Sequence, residues 1–279
     1  MSGYPFHAWT PSWSVAAASV IGTSHVEGGL PCQDRHHVEV IRSSRGGEVL
    51  VACVADGAGS ASHGGEGAEL LCGFLRDRAR ELFRGGGLVR DLTPEQGAGW
   101  LDAYREAVDG VAEAGGGDRR DYASTLLFAA VGRESAAMYQ IGDGAMAVGF
   151  AADPGSYVLP MQPERGEYAN VTFFATDPDA PLHLQSCAYD EKIEEIALFT
   201  DGVESVAVRS ADGEAHGPFF DGVFPELRRA PRAPAKDAAL SGALGAFLAS
   251  DRLSSRTDDD KTLVLASRRR GGDSNRAAT

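Results

Sequence analysis

Four aspartates share a local setting that could support chemistry. Asp56 and Asp201 each end an apolar, strand-like run and precede a glycine, Asp143 lies between two glycines, and Asp259 precedes the apolar run 262–266. Taken singly, each is a common turn residue. Brought together at one sheet edge, they would repel one another and raise each other's pKa unless a cation lay among them. Hard divalent ions such as Mg²⁺ or Mn²⁺ prefer such oxygen ligands.

Spacing alone leaves open whether these residues meet in space, but the order of the surrounding motifs is informative. The chain contains, in sequence, Gln33-Asp34, VADGAGS from Val54, YASTLL from Tyr122, IGDGAMAV from Ile141, FTDGVES from Phe199 and DDDKTLVL from Asp258. This series resembles the metal-dependent protein phosphatases, the PP2C-like serine/threonine phosphatases, from about Gly22 to Ala266. GTSHVEGGLPCQD from Gly22 and GEYANVTFF from Gly166 are similar to a bacterial subgroup of that family.

The resemblance implies a site with two Mn²⁺ or Mg²⁺ ions. Asp56 matches the carboxylate that bridges both ions, and Gly57 matches the residue whose backbone carbonyl binds one of them. A glycine allows the backbone to approach that closely. Asp201 and Asp259 match the remaining carboxylates of the first ion.

Two further aspartates extend this implied site. Asp34 matches a catalytic acidic residue that contacts metal-bound water, and Asp143 matches a ligand of a third, looser metal. Two cations can activate a bridging water and stabilise an in-line displacement at phosphorus. No protein nucleophile is then needed, and the sequence has no G-x-S-x-G elbow. The resemblance therefore implies hydrolysis of phosphoserine and phosphothreonine on a phosphorylated protein substrate, opposite a cognate Ser/Thr kinase.

The sequence departs from the family pattern at the position that grips the substrate phosphate. Many relatives have an arginine five residues before the first aspartate, where this chain has Gly29. His25 and Arg35 are nearby candidates for that role, and an ordinary turn or surface role is the alternative for each.

Two other departures affect charge and proton transfer. Gln33 replaces a glutamate common in relatives, and Ala58 replaces a histidine that animal relatives carry as a general acid. His63 could supply the proton instead, or metal-bound water could do so. Gly29 and Gln33 leave a second interpretation open, a pseudophosphatase that binds a phosphoprotein or kinase without turnover. A third interpretation keeps the metals but places a small phosphate ester in the site.

The cysteines suggest no disulfide framework. Cys53 and Cys72 lie in apolar periodic segments, where a free cysteine behaves as a small hydrophobe. Cys32, with His36 and His37, could be read as a zinc site, but a cluster without a second ligand pair is more often structural.

The elements that must position these residues follow from periodicity. Apolar runs predict strands at 48–55, 124–131, 136–141, 145–150, 171–174, 193–200 and 262–266. A helical stripe runs from Ala68 to Leu82, and a second helix begins with Thr93 as N-cap and Pro94 at its first position. The segment 236–251 predicts a third helix, and 151–190 predicts a variable flap over the site.

Short strands with two long helices and one late helix favour an α+β fold of packed sheets with helices outside. Together with the resemblance, this predicts a four-layer α-β-β-α sandwich of two mostly antiparallel sheets. We expect a single domain over residues 1–267 and a flexible polar tail over 268–279.

The overall charge narrows the possible partners. With 26 basic and 40 acidic residues, the chain of 279 residues carries a formal net charge of −14, which opposes binding to nucleic acid or an anionic membrane. No run approaches the roughly 20 apolar residues that span a bilayer. Because no Lys or Arg precedes Arg35, the apolar segment Ser14 to Ile21 does not resemble a secretion signal, and we expect a cytoplasmic protein.

Overall fold

A computed structural model of the chain describes residues 11–45, 47–164, 172–230 and 236–269. These residues form two sheets whose neighbouring strands are all antiparallel. The four-stranded sheet has the order β1 (Trp13–Val20), β9 (Lys261–Arg268), β8 (Ile193–Phe199) and β6 (Ala145–Phe150). The five-stranded sheet has the order β2 (Arg35–Arg42), β3 (Glu48–Ala55), β4 (Leu126–Val131), β5 (Ala136–Ile141) and β7 (Gln185–Tyr189).

Helices cover the outer face of each sheet. The described α-helices are α1 (Thr23–Gly28), α2 (Gly64–Arg84), α3 (Pro94–Gly115), α4 (Ala180–His183), α5 (Asp201–Ala207), α6 (Gly217–Arg229), α7 (Ala238–Leu248) and α8 (Asp251–Ser254). The long helices α2 and α3 pack on the five-stranded sheet, whereas α5 to α8 pack on the four-stranded sheet. The predicted four-layer α-β-β-α architecture is confirmed.

The apolar run of β3 shows how the sequence produces these layers. Leu50, Ala52 and Val54 point into the core between the two sheets, while Val51 and Cys53 point outward into the core beneath α2 and α3. Alternate residues of a strand face opposite sides of a sheet, so a strand buried on both faces is apolar at nearly every position.

Two further hydrophobic cores lie between the helices and the outer faces of the two sheets. Leu71 and Leu75 of α2 and Tyr104 of α3 pack against the five-stranded sheet, and Phe220 and Phe224 of α6 pack against the four-stranded sheet. All five side chains are at most 3% exposed. Both sheets are thereby held rigidly between apolar layers, which fixes the positions of their strand ends.

The strongly periodic segments were predicted correctly. The strands predicted at 48–55, 136–141 and 145–150 are β3, β5 and β6. The predicted start of α3 is also confirmed, because the Thr93 hydroxyl accepts a hydrogen bond from the Gln96 amide at 3.3 Å and Pro94 occupies the first position.

Other elements did not follow from the sequence pattern. The sequence pattern predicted neither the helix α6 nor the strands β1, β2 and β7. Among these strands, β2 and β7 are edge strands rich in polar residues, and β1 is rich in alanine and serine. The predicted strand at 171–174 is wrong for 172–174, which form no strand, and Val171 lies outside the described residues, as does the GEYAN segment of the predicted flap.

The predicted boundary at 268 also needs correction. Arg268 is the last residue of β9, pairs with Trp13 of β1, and lies with its guanidinium 4.3 Å from the Trp13 ring centroid. This cation–π contact holds Arg268 within the folded domain, and residues 270–279 lie outside the described part of the chain.

Among the described residues, no helix has both the length and the apolar character needed to cross a bilayer.

Candidate active site

Three of the predicted aspartates lie at one end of the four-stranded sheet. In the antiparallel register Ala145 pairs with Phe199, and Phe199 pairs with Leu263. Continuing this register places Asp143 and Asp201 opposite one another beyond β6 and β8. Asp259 lies just before β9 on the other side of β8. Neighbouring strands therefore bring together residues that are far apart in sequence.

The other two aspartates lie at the same end of the five-stranded sheet. Arg35 at the start of β2 pairs with Ala55 at the end of β3, so Asp34 and Asp56 face each other one residue further along. The Asp56 backbone is held by Thr125, whose hydroxyl accepts from the Asp56 amide at 3.0 Å and whose own amide donates to the Asp56 carbonyl at 2.8 Å.

A side-chain hydrogen bond joins the two sheets at this end. The Thr200 hydroxyl donates to Asp34 Oδ2 at 2.8 Å and accepts from the Thr262 backbone amide at 3.0 Å. Asp34 is 1% exposed. Because Thr200 immediately precedes Asp201, this bond links Asp34 of the five-stranded sheet to the end of β8 in the four-stranded sheet, where Asp201 lies.

Gly57 lies where the backbone is most crowded. It forms an isolated antiparallel bridge with Ser124, and a Cβ atom at Gly57 would lie 2.3 Å from the carbonyl carbon of Gly64. Any side chain would push this turn away from the start of α2. The glycine thus keeps the backbone after Asp56 tightly packed at the sheet end.

Burial and mutual repulsion raise the pKa values of the clustered carboxyls. Burial is the largest cause at Asp34 and Asp201 and raises the pKa of each to about 7, with nearby carboxylates adding to the shift. Burial also raises the pKa of Asp56 well above its usual range, and the charges of Asp34, Asp201 and Asp259 raise it further. The pKa of Asp259 is raised by burial and by Asp260. These shifts show that the carboxylates interact electrostatically.

The donor atoms fit a divalent cation. Three buried oxygens have no hydrogen-bond partner among the described residues: Asp34 Oδ1, Asp201 Oδ1 and Gln33 Oε1. A buried oxygen without a partner is costly, and a bound cation would satisfy it. The described residues do not form a preassembled cage of three or more His, Cys, Asp or Glu side chains around one point. Bare carboxylates repel one another, and a cation would offset that repulsion.

Asp260 is a structural residue of the site that sequence reasoning missed. Its Oδ1 accepts from the Gly22 amide at 2.6 Å, and its Oδ2 accepts from the Gln33 amide at 2.6 Å and contacts His25 Nδ1 at 2.9 Å. Asp260 is 2% exposed. It therefore anchors both ends of the 22–33 segment that delivers Asp34. The signal in the sequence is the run of three aspartates from Asp258 to Asp260, in which the motif match points to Asp259 alone.

Asp143 is positioned by the segment that follows the undescribed residues 165–171. The Thr172 hydroxyl donates to Asp143 Oδ2 at 2.6 Å. Gly142, with φ of +97°, lies in the left-handed region that favours glycine, and it turns the chain between β5 and Asp143. Among the carboxylates, the charge of Asp143 contributes most to raising the pKa of Asp201, which places Asp143 beside Asp201 in the cluster.

The two candidates for gripping phosphate both have internal partners. His25 contacts Asp260 as described, and Arg35 Nη1 donates to the backbone carbonyls of Cys32 and Asp34 at 2.8 Å each. Arg35 Nε also lies 3.1 Å from a carboxylate of Glu69. Both side chains thus shape the loop before β2. Gly29 has φ of +66° and caps α1, and no atom lies within 4 Å of the position a Cβ would take.

His63, the candidate proton donor, lies at the start of α2. Its ring stacks on Tyr122 with a centroid separation of 5.1 Å, and its Nδ1 lies 3.4 Å from Glu66. The side chain is 44% exposed. These contacts account for its position without a role in proton transfer.

The Cys32, His36 and His37 cluster does not form a zinc site in the described structure. His36 and His37 are successive residues of β2 and point to opposite faces. His36 Nδ1 bonds to Ser19 Oγ at 2.8 Å, and His37 Nε2 lies 3.2 Å from Glu39. Burial raises the pKa of the Cys32 thiol to about 12, with Asp260 and Asp34 adding to the shift. A thiol so protonated is neither a good ligand nor a nucleophile.

Comparison with known proteins agrees with this arrangement. Residues 21–248 match the family model described as protein phosphatase 2C. Serine/threonine-protein phosphatase 3 of Escherichia coli (strain K12) is 36% identical over 256 residues, covering 91% of this chain and 98% of the relative. The chain therefore belongs to the protein phosphatase 2C family, and the resemblance inferred from the motifs is confirmed.

Solved structures support the fold independently. A bacterial serine phosphatase that carries an arginine-to-lysine substitution aligns with a TM-score of 0.61 at 13% identity, covering 92% of this chain and 98% of that one. Serine/threonine phosphatase Stp1 from Staphylococcus aureus aligns with a TM-score of 0.59 at 13% identity, covering 96% and 99%. At such low identity the likeness concerns the fold alone.

Proposed function

We propose that this protein hydrolyses phosphoserine and phosphothreonine on proteins with the help of two Mn²⁺ or Mg²⁺ ions. The observation that carries the proposal is the set of carboxylates at the strand ends of both sheets, whose burial and mutual charge raise their pKa values. Membership of the protein phosphatase 2C family and the name of the Escherichia coli relative support the reaction class.

The chain's own residues would divide the work at the metal site. The charges of Asp34 on one sheet and of Asp201 and Asp259 on the other all act on Asp56. Asp56 is therefore the best candidate to bridge two ions, with the Gly57 carbonyl next to it in the chain. Asp201 and Asp259 would complete the site on the four-stranded sheet. When bound, the ions would supply Lewis acidity, which lowers the pKa of a coordinated water and neutralises charge on the phosphate oxygens.

Asp34 would position the attacking water. Its Oδ2 is held by the Thr200 hydroxyl, and its Oδ1 has no partner among the described residues. Oδ1 is therefore the atom available to accept a hydrogen bond from that water. Asp143, beside Asp201, would act as a ligand of a third, more weakly held ion. The chemistry requires a phosphorylated protein as substrate and a Ser/Thr kinase that produces it.

A peptide assay tests the reaction and the metal assignment together. The full chain should release phosphate from a phosphothreonine peptide in the presence of Mn²⁺ and should lose this activity in EDTA. Asp201→Asn should lower kcat/KM by more than the roughly 100-fold typical of residues that only contact metal ligands. Asp102→Asn, an exposed carboxylate of α3, is the matched control and should retain full activity. Full activity of Asp201→Asn would refute the metal assignment.

The same assay distinguishes the remaining interpretations. A pseudophosphatase, suggested by Gly29 and Gln33, would bind the phosphopeptide tightly without turnover. A phosphatase for small esters would show a higher kcat/KM on a panel of phosphorylated metabolites than on phosphoproteins. Turnover of the phosphoprotein, with a higher kcat/KM than for the phosphorylated metabolites, supports the proposal over both alternatives.

A further inference from the structure

An apolar cavity of about 520 Å³ lies between α6 and α7 on the outer side of the four-stranded sheet. Its walls come from both helices and include Phe219, Val223, Leu227, Leu240, Leu244 and Phe247. Ala16 of β1 and Leu265 of β9 contribute from the sheet beneath. The volume falls within the roughly 300–1,000 Å³ typical of small-molecule sites, which are mostly apolar with a few polar groups.

Two arginines provide the unusual feature of this cavity. Arg252 and Arg256 line it with exposed side chains, and neither guanidinium has a hydrogen-bond or ion-pair partner among the described residues. The other two ionisable side chains of the lining already have partners. Glu226 pairs with Arg229 at 2.7 Å, and His216 Nδ1 bonds to a backbone carbonyl at 2.9 Å. Two unpaired cations at one cavity stand out in a chain with a net charge of −14.

We propose that this cavity binds a fatty-acid-type carboxylate, with the hydrocarbon chain inside and the carboxylate at Arg252 and Arg256. A neutral apolar molecule would leave both guanidinium groups unused, and a small polar anion such as phosphate would gain nothing from the apolar walls. An arginine pairs well with a carboxylate through parallel hydrogen bonds. Apolar walls together with the two arginines therefore favour an amphiphilic anion with a single apolar chain. This site does not involve the acidic cluster, so it stands or falls separately from the phosphatase proposal.

Isothermal titration of the full chain with sodium dodecanoate, below the concentration at which the surfactant self-associates, tests the proposal directly. We expect saturable binding of one molecule per chain. Hexanoate should bind at least about 100-fold more weakly, because it buries much less apolar surface. Binding of dodecanoate should weaken as NaCl is raised, because salt screens the exposed charges.

Three variants separate the contributions of charge and shape. The double variant Arg252→Gln/Arg256→Gln should bind dodecanoate about tenfold more weakly and lose the salt dependence. Ala243→Phe, at an exposed position of α7 that lines the cavity, should fill it and abolish binding while leaving the fold intact by circular dichroism. The matched control Arg90→Gln/Arg133→Gln removes the same charge from exposed positions outside the cavity and should bind like the unmodified chain.

Several results would overturn the proposal. One is the absence of saturable dodecanoate binding, as expected if the chain itself or a second copy covers the cavity. Another is uptake of several molecules per chain that Ala243→Phe does not reduce, which indicates surfactant adsorption. A third is equal weakening by the cavity pair and the control pair, which would remove the role assigned to the two arginines.

Discussion

Asp201→Asn should make the metal-free protein more stable while making the enzyme inactive. Burial, together with Asp143, Asp259 and Asp34, raises the pKa of Asp201 from 3.8 to about 7. The folded protein therefore holds a proton at Asp201 that the unfolded chain has already released. By linkage, the stability of the metal-free protein falls as pH rises from about 4 to about 7, and the loss is complete above that range.

The magnitude follows from the same values. Each pH unit corresponds to about 1.4 kcal/mol, so ionising Asp201 in the folded state costs about 4 kcal/mol more than in the unfolded chain. An asparagine carries no charge but must still be buried, at a cost of about 1–3 kcal/mol when it is unpartnered. We therefore expect Asp201→Asn to raise the free energy of unfolding by about 2 kcal/mol at pH 8.

Urea unfolding in EDTA at pH 8 and pH 4.5 measures this effect. The stabilisation should be present at pH 8 and small or reversed at pH 4.5, where the native carboxyl is protonated. Asp102→Asn should change stability by less than about 0.5 kcal/mol at either pH. Saturating Mn²⁺ should stabilise the unmodified chain more than the variant, since only the former retains the full ligand set. If Asp201→Asn is no more stable than the unmodified chain at pH 8 in EDTA, these carboxylates do not crowd one another.

Three further predictions concern the scaffold around the site. Gly57→Ala should lower the free energy of unfolding by at least about 2 kcal/mol and abolish phosphate release, because a Cβ there would lie 2.3 Å from the backbone of Gly64. The control is Gly59→Ala, whose Cβ would meet nothing closer than 3.9 Å. It should change neither urea unfolding nor phosphate release from the peptide. Asp260→Ala leaves the buried backbone amides of Gly22 and Gln33 without an acceptor and should lower the free energy of unfolding by about 3 kcal/mol. Asp258→Ala, at an exposed position, should lower it by less than about 0.5 kcal/mol. Equal effects of the two variants would contradict the anchoring role of Asp260. Burial lowers the pKa of His183, but the carboxylates of Glu164 and Asp179 outweigh this and raise it above 6.5. His183→Gln should therefore cost about 0.5 kcal/mol more at pH 6 than at pH 9 in urea unfolding, on top of the pH-independent loss of ring stacking on Phe173. A cost that is constant with pH would contradict the ion-pair explanation.

The Asp201 variant also connects stability with function. Carboxylates that repel one another in the absence of metal reduce the stability of the folded chain, yet the same carboxylates are the ligands the proposed reaction needs. Removing one is expected to raise stability and to remove activity together. Such opposition is common where a site concentrates like charges.

The sequence by itself determined the family, the strongly periodic elements and the types of residue at the site. Six motifs in a fixed order were enough for the family, because each combines a strand end with a polar or acidic residue. The strand β3 and the helix α3 were evident because burial of one or both faces imposes a strict apolar period. Edge strands such as β2 were not evident, since half-exposed strands carry polar residues at many positions.

Only the tertiary structure decided how these residues interact. No sequence pattern shows that Thr200 bonds to Asp34 across the two sheets, or that Asp260 holds the amides of Gly22 and Gln33, because those partners lie 166 to 238 residues apart along the chain. The register of antiparallel strands brings the aspartates to one end of the sandwich, and register is set by the packing of whole sheets rather than by local sequence. The crowding of charge that raises the pKa of Asp201 is therefore a property of the assembled fold.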